Sequence, residues 1–434
     1  MKNKLSQTVA QFWSAHRRAD QAVIEIALSG GVDSVALLHA FDGLQAEHGF
    51  RLQAVHVHHG ISAHADAWAT FCAELCARFN VPLRVVRVAL DFDAKSGLEA
   101  EARRARYEAF AAGDADVVVL GHHLDDQVET TLANLLRGGG VRALAAMPPV
   151  RALGAKALWR PCLTLPKVVL QEYVQNQGLS HVEDDSNVDR QYKRNWVRHE
   201  LLPMLGQYLP HAPQHILRTT ELMQETLSIL DEVLQADSRL VCPDGVFYYG
   251  PWQALSPARQ HQLLLHFVTT AGLGTPRPDS LHDFAQQLRR IGAGQMDWRL
   301  PKGRVYAYQG RLYVVPQADL WRLQPWAEET LADIAAQTYG EGTLTWIAAD
   351  KGLPLARIQE GLTLRARVST DKIHTTIGHK NVKRVLQEKG VPPFLRTYWP
   401  VLVDAEDQCV AVCGLWVAAK DTIEHGYLPR GWLD

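Results

Sequence analysis

Cysteine is scarce in this chain: six residues in 434, with no Cys-x-x-Cys pair anywhere. That scarcity excludes a disulfide framework and removes the usual spacing of a zinc knuckle or dithiol redox centre. Cys72 and Cys76 lie four apart on an apolar helical stripe, and Cys409 and Cys413 flank a Val-Ala-Val run. These thiols read as small buried hydrophobes in a reducing compartment. An excess of one charge is also missing. The formal net charge is −2, which excludes a global basic field, so any nucleic-acid contact must come from local patches. Nothing approaches the ~20 apolar residues of a membrane span. Residues 1–20, with Lys2, Lys4, His16, Arg17 and Arg18, lack the apolar centre of a signal peptide. A cytoplasmic protein with no membrane partner is expected.

What is present fits an ordinary globular chain, 47% hydrophobic and 21% charged. Its length favours two or three domains, since single cores stop growing near about 250–300 residues. The first two hundred residues alternate strand and helix patterns. Strands are predicted over Val23–Leu28, Leu52–Val57, Val81–Leu90 and Val117–Leu120. Helices are predicted over Val35–Leu44, Asp66–Phe79, Leu98–Ala112 and Asp125–Leu136. Such alternation predicts an α/β fold with a parallel sheet, helices on both faces, and ligands at the carboxyl ends of the strands. Helical spacing then runs from Pro213 to Leu240, over Pro257–Ala271 and over Asp279–Ile291. Strand-like pieces follow at Arg304–Tyr308 and Arg311–Val315, and Trp326–Pro354 reads as a connector with some strand. The last residues suggest a small α+β domain. The expected division is 1–212, 213–325 (mainly helical) and 355–434.

Ser29-Gly30-Gly31-Val32-Asp33-Ser34 stands between the first strand and the first helix. The two glycines allow successive N–H groups to turn toward one point, and the helix behind adds free N–H groups and the positive end of its dipole. Ser29 and Ser34 can donate to phosphate oxygens. Asp33 would be repelled by bare phosphate, so its use is through Mg²⁺. No Walker A lysine or spacing is present. Gly121-His122-His123-Leu124-Asp125-Asp126-Gln127-Val128-Glu129-Thr130 follows the fourth strand, with Asp126 and Glu129 three apart on one helix face. Acids in a first turn also simply complement the dipole. His56, His58 and His59 end another strand, so with His122, His123, Asp125 and Asp126 a metal-dependent phosphohydrolase site stays open.

SGGVDS (29–34) resembles the PP-loop of the ATP pyrophosphatase superfamily, which binds ATP and splits it into AMP and pyrophosphate. HVHHGISAHADAW (56–68), GLEAEARRARYEAF (97–110), GHHLDDQVET (121–130), RNWVRHELLPML (194–205) and KNVKRVLQEKGVPPFLR (380–396) extend the match. In order and spacing they resemble the tRNA(Ile)-lysidine synthase family in its long, three-domain form. The resemblance implies that ATP adenylates the wobble cytidine of a tRNA(Ile) with a CAU anticodon, and that L-lysine then displaces AMP. It implies lysine-binding roles for Asp126 and Glu129. Arg103 or Arg106, and Arg194 with Arg198, would reach the nucleotide, the transferred phosphoryl charge or the tRNA backbone; the two helix arginines could instead pair with Glu99 or Glu101. A homodimer is compatible with it. Sulfur transfer by a related thiolase would want the missing Cys-x-x-Cys, amide-forming relatives a nucleophilic Cys, and a nucleotide sensor would not need the two acids.

For tRNA, Arg365, Arg367, Lys372, Lys380, Lys383, Arg384 and Lys389 crowd one tail segment, opposed only by Asp371 and Glu388 and interleaved by His374 and His379. Tyr192 and Trp196 lie among Arg190, Lys193, Arg194 and Arg198, where one ring could stack on an unpaired base. A large aromatic such as Trp196 is more simply expected in the core.

Overall fold

The structure, a computed structural model, describes residues 3–18, 21–90, 97–183, 196–292, 294–331, 333–334, 337–339 and 341–430. The chain forms two compact units, Met1–Asp231 and Glu232–Asp434.

In the first unit a six-stranded sheet is built from β1 (Val23–Ala27), β2 (Arg51–His58), β3 (Leu83–Arg87), β4 (Val117–Val119), β5 (Val150–Leu153) and β6 (Lys156–Trp159), in the order β3-β2-β1-β4-β6-β5. All neighbours pair in parallel except the β5–β6 hairpin. The β4 sequence is three valines, all buried, as a central parallel strand requires. Helices α1 (Lys4–His16), α2 (Val32–His48), α3 (Ala65–Arg78), α4 (Leu98–Ala111), α5 (Leu124–Leu135), α6 (Val141–Leu144) and α7 (Lys167–Asn176) complete it. One core joins Leu5, Val9 and Trp13 of α1, Ile24 and Ile26 of β1, and Val35, Leu38 and Phe41 of α2. Phe110 of α4 meets Val55, Val118 and Leu158 in a second cluster, so apolar packing lies on both faces of the sheet.

The strand order reverses direction at β1: β2 lies on one side of it and β4 on the other. A crevice opens at such a switch point because the connections leaving the two strands diverge. The turn after β1 and the turn after β4 are the two candidate motifs, so the fold itself brings them together. One buried charge braces this layer from beneath. Glu25 of β1 is fully buried and is held by the Arg84 guanidinium of β3 at 2.9 Å; unpaired, such a carboxylate would cost several kcal/mol, roughly 3–5.

In the second unit, helices Pro257–Thr270 and Pro278–Arg289 accompany a four-stranded antiparallel sheet of Phe247–Tyr248, Arg311–Pro316, Gly303–Tyr308 and Met296–Leu300. The tail is β-rich. Strands Leu362–Ala366, Pro400–Val403 and Cys409–Val412 carry a core of Leu364, Val401, Leu402 and Val410. The stretch read as a connector contains an eleven-residue strand, Gly342–Gly352, paired antiparallel with Ile423–Arg430. Its pairing partner lies some seventy residues downstream, so no local pattern could reveal it. Among the described residues, no helix is long and apolar enough to cross a membrane.

Candidate functional site

The first motif forms a tight bend closed by its own hydroxyls. Gly30 has φ +90°, a left-handed conformation that favours glycine. A Cβ there would also come within 2.8 Å of Val182 Cγ2, whose backbone N–H donates to the Gly30 carbonyl at 3.0 Å. The Gly30 and Gly31 N–H groups donate to Ser34 Oγ (3.2 Å) and Ser29 Oγ (3.3 Å), and the two hydroxyls lie 3.2 Å apart. Gly31 and Val32 then open α2. These are long, replaceable contacts on groups suited to an anion, at the dipole's positive end.

Asp33, in the first turn of α2, lies close to the second motif: a Cβ on Gly121 would come 3.2 Å from the Asp33 Cβ, a tight contact that the glycine avoids. Asp33 Oδ1 is buried and makes no hydrogen bond. Its Oδ2 lies 3.7 Å from His123 Nε2. Burial raises the Asp33 carboxyl above its usual range, against the pull of the His123 and Lys167 charges.

His123 links the motifs. Its ring is buried, with Nε2 3.4 Å from Asp126 Oδ2 and Nδ1 3.3 Å from Asp125 Oδ2. Burial disfavours its charge, but contact with Asp125 and the charges of Asp126 and Asp33 outweigh that and raise it above the ordinary imidazole value. The three acids of the motif region divide their work. Asp125 accepts the Lys167 N–H at 2.8 Å and so caps α7. Asp126 accepts the His123 N–H at 3.1 Å, fixing the start of α5. Glu129 is 1% exposed and receives Arg198 in a two-pronged contact, Nε to Oε1 at 2.6 Å and Nη2 to Oε2 at 3.0 Å. Arg198 Nη2 also lies 3.4 Å from Asp126 Oδ1.

The opposite face of α5 explains why these acids point as they do. Gln127 exchanges hydrogen bonds with the Met147 backbone (2.8 and 3.0 Å), and Thr131 meets Thr220 at 2.8 Å. With that face anchored, positions 126 and 129 must share the other.

The arginines are distributed unevenly. Arg106 is exposed and close enough to His59 to add to the burial that pushes this imidazole down to about 4. Arg103 lies over the ring of Tyr107 at 5.1 Å, with Arg151 also over that ring at 4.8 Å; no local motif marks Arg151. Glu101 pairs with Arg104, not with Arg103 or Arg106. Arg194 lies outside the described residues, as do Arg190, Tyr192 and Lys193. Arg198 sits on the acid pair and not toward open solvent. Trp196 is 45% exposed, contrary to the expectation of a core position. It opens a short π-helical turn, Val197–Leu201, whose inward residue is Val197.

Among the described residues the histidines do not assemble a metal centre. His56 Nδ1 binds the Leu28 carbonyl at 2.9 Å, and His58 faces Asp66 and Arg87. Among the described residues, no three His, Cys, Asp or Glu side chains gather into a group able to hold a metal ion. The multi-ligand hydrolase arrangement finds no support among the described residues. Thiol chemistry fares no better, since burial pushes Cys72 up to about 12 and Cys76 up to about 11.

In the tail, Arg365 is not a surface cation. It is buried and bonded to Asp371 and Asp407, both at 2.8 Å. Lys380 and Arg384 both contact Glu388. Lys372, Lys383 and Lys389 remain on the exposed surface.

Known proteins give this geometry a context. Family descriptions match three stretches: a PP-loop domain over residues 1–205, a TilS substrate binding domain over 249–313 and a TilS substrate C-terminal domain over 362–427. A tRNA(Ile)-lysidine synthase of Chromobacterium violaceum is 39% identical over 412 residues, covering 93% of this chain and 94% of that protein. One from Neisseria gonorrhoeae is 37% identical over 405 residues, covering 93% and 90%.

Proposed function

The chain belongs to the tRNA(Ile)-lysidine synthase family, and from that premise we propose how its residues share an ATP-dependent ligation. It is an ATP-binding ligase that modifies tRNA. The substrates assigned to it are ATP, L-lysine and a tRNA(Ile) carrying a CAU anticodon, in the cytoplasm. Residues 1–212 carry the chemistry, 213–325 and 355–434 the contacts with tRNA.

The loop Ser29–Ser34 takes the β- and γ-phosphates of ATP, its N–H groups turning from Ser29 and Ser34 hydroxyls to phosphate oxygens. The cytidine O2 attacks the α-phosphorus, the bond to pyrophosphate breaks, and the cytidine becomes adenylated. The lysine ε-amine, having lost a proton, then attacks C2 and AMP leaves with the oxygen. Preorganised donors help the first step because charge grows on the phosphoryl oxygens; Arg106, Arg103 and Arg194 are the assigned cations there. Asp126 and Glu129 bind the lysine ammonium charge.

Mg²⁺ fits the site through Asp33, whose buried Oδ1 has no protein partner. A single carboxylate suffices, because this ion is commonly held by one or two carboxylates plus phosphates and water. When bound it would neutralise charge on the leaving pyrophosphate.

The observation that carries this reading is the chain of contacts from Asp33 through His123 to Asp126. It keeps the phosphate-binding bend and the amine-binding acids one side chain apart, as a reaction between a nucleotide and an amine requires. The test supplies ATP, isotopically labelled lysine and the tRNA, then analyses the nucleosides by mass spectrometry. Labelled lysine on cytidine, with one AMP per modification, is expected. A thiolated nucleoside, or ADP as product, would overturn the reading. Asp126→Asn should lower lysine use by about 10²-fold while ATP binding persists, on the scale of a lost charged contact.

A further inference from the structure

We propose that Arg198 is a resident counter-cation of the lysine subsite, displaced when the substrate amine enters. The proposal rests on the assignment of Asp126 and Glu129 to lysine.

Two carboxylates on one face of a buried helix repel each other and lose solvation, so a cation must accompany them if both are to stay ionised. Arg198 supplies one. Its guanidinium grips both oxygens of Glu129, at 2.6 and 3.0 Å, and reaches Asp126 at 3.4 Å. The acids are the deep partners and the arginine the shallow one: the Glu129 side chain is 1% exposed and that of Arg198 27%. An amine arriving from solvent therefore meets the guanidinium first, and must replace its contacts to reach the carboxylates. The backbone beneath Arg198 is the single π-helical turn Val197–Leu201, a form that occurs mostly in short stretches and often at functional sites.

Exchange of one cation for another nearly cancels in charge, so a bare ammonium gains little by entering. Net affinity must come from what the rest of the ligand adds. That sets a threshold: a monoamine that only equals the Arg198 contacts is refused, and a ligand with further anchoring groups is admitted. The same device keeps a counter-charge on the acid pair between turnovers.

The test is calorimetric titration of L-lysine into the full chain without ATP or tRNA. Removing the competitor in Arg198→Gln should tighten lysine binding by about tenfold and let n-butylamine bind measurably, as expected for loss of a competing charged contact. Unchanged or weaker lysine binding in Arg198→Gln would overturn the proposal. Should Arg198→Gln not fold, Arg198→Lys answers alone: it keeps the charge but loses the planar fork, so lysine should bind several-fold tighter, and equal or weaker binding refutes the idea. Glu129→Gln separates this inference from the reading beneath it. If that variant keeps full lysine affinity, the acid assignment itself fails. If it loses affinity while the Arg198 variants show no gain, only the displacement fails.

Discussion

The two units of the chain bury charge in contrasting ways. In the tail, Arg365 is surrounded on every nitrogen: Asp371 and Asp407 take the guanidinium, the Ala366 carbonyl takes Nη1, and Asp371 also holds the Val368 N–H. At the carboxyl end of the first sheet Asp33 is less deeply buried, its side chain 28% exposed against 7% for that of Arg365, and it is less completely partnered. Asp33 keeps an orphaned oxygen and a raised pKa, and the Ser29–Ser34 bend is closed by contacts of 3.2–3.3 Å between its own hydroxyls and N–H groups. A saturated cluster holds a fold, because every partner it could offer is in use. A strained cluster has capacity left for a ligand. What separates Asp33 from Asp371 is partnering as well as depth.

The sharpest way to break this contrast is Gly30→Ala. The left-handed φ costs a non-glycine residue roughly 1–2 kcal/mol, and the new Cβ meets Val182 at 2.8 Å. The bend must open, its N–H groups lose their common focus, and AMP formation should fall by about 10²–10³-fold, as when a preorganised donor is lost. Steady-state rates with saturating lysine and tRNA check this. Full activity would mean that the bend is merely a turn. The converse test is Arg365→Met. It strands Asp371 in the interior and should destabilise the tail by about 3–5 kcal/mol, read by hydrogen exchange over residues 362–412. Lysine affinity should not change. A shift in lysine binding would erase the distinction between the saturated cluster and the strained one.

Much of the first unit was legible because its signals are local. Strand–turn–helix alternation placed β1, β2, β4 and their helices within a few residues, and SGGVDS falls where the anion logic puts it. The spacing of Asp126 and Glu129 alone was enough to put them on one face. Other features depend on distant partners and left only a weak local trace or none. Helix α1 was read only as a polar terminus, although Leu5, Val9 and Trp13 recur every four residues and are buried against the sheet. The β5–β6 hairpin and strand Gly342–Gly352 are defined by pairing. Arg365 looked like part of a basic patch because Asp371 and Asp407, six and forty-two positions away, could not be known to converge on it. In the same way Arg198, sixty-nine positions after Glu129, gave no sign that it would turn back onto that acid.

The smallest expected effect concerns the boundary between the two kinds of charge. Asp125 adjoins the strained cluster yet behaves as a structural cap, accepting the Lys167 N–H and facing His123. Burial opposes its ionisation, but the His123 contact and the Lys167 N–H prevail and bring the carboxyl down to about 2. Because the folded value lies below the ordinary carboxylate value, near about 3.9, the ionised form stabilises the fold. That contribution is complete above about pH 4 and is lost as pH falls toward about 2. Asp125→Asn should therefore be less stable than the parent by a constant amount near neutrality, with the gap closing between about pH 4 and 2. Denaturant unfolding across that range measures it. A gap that instead widened as the pH fell would show that Asp125 is one of the strained acids, and the line drawn between capping and ligand-ready carboxylates would have to move by one residue.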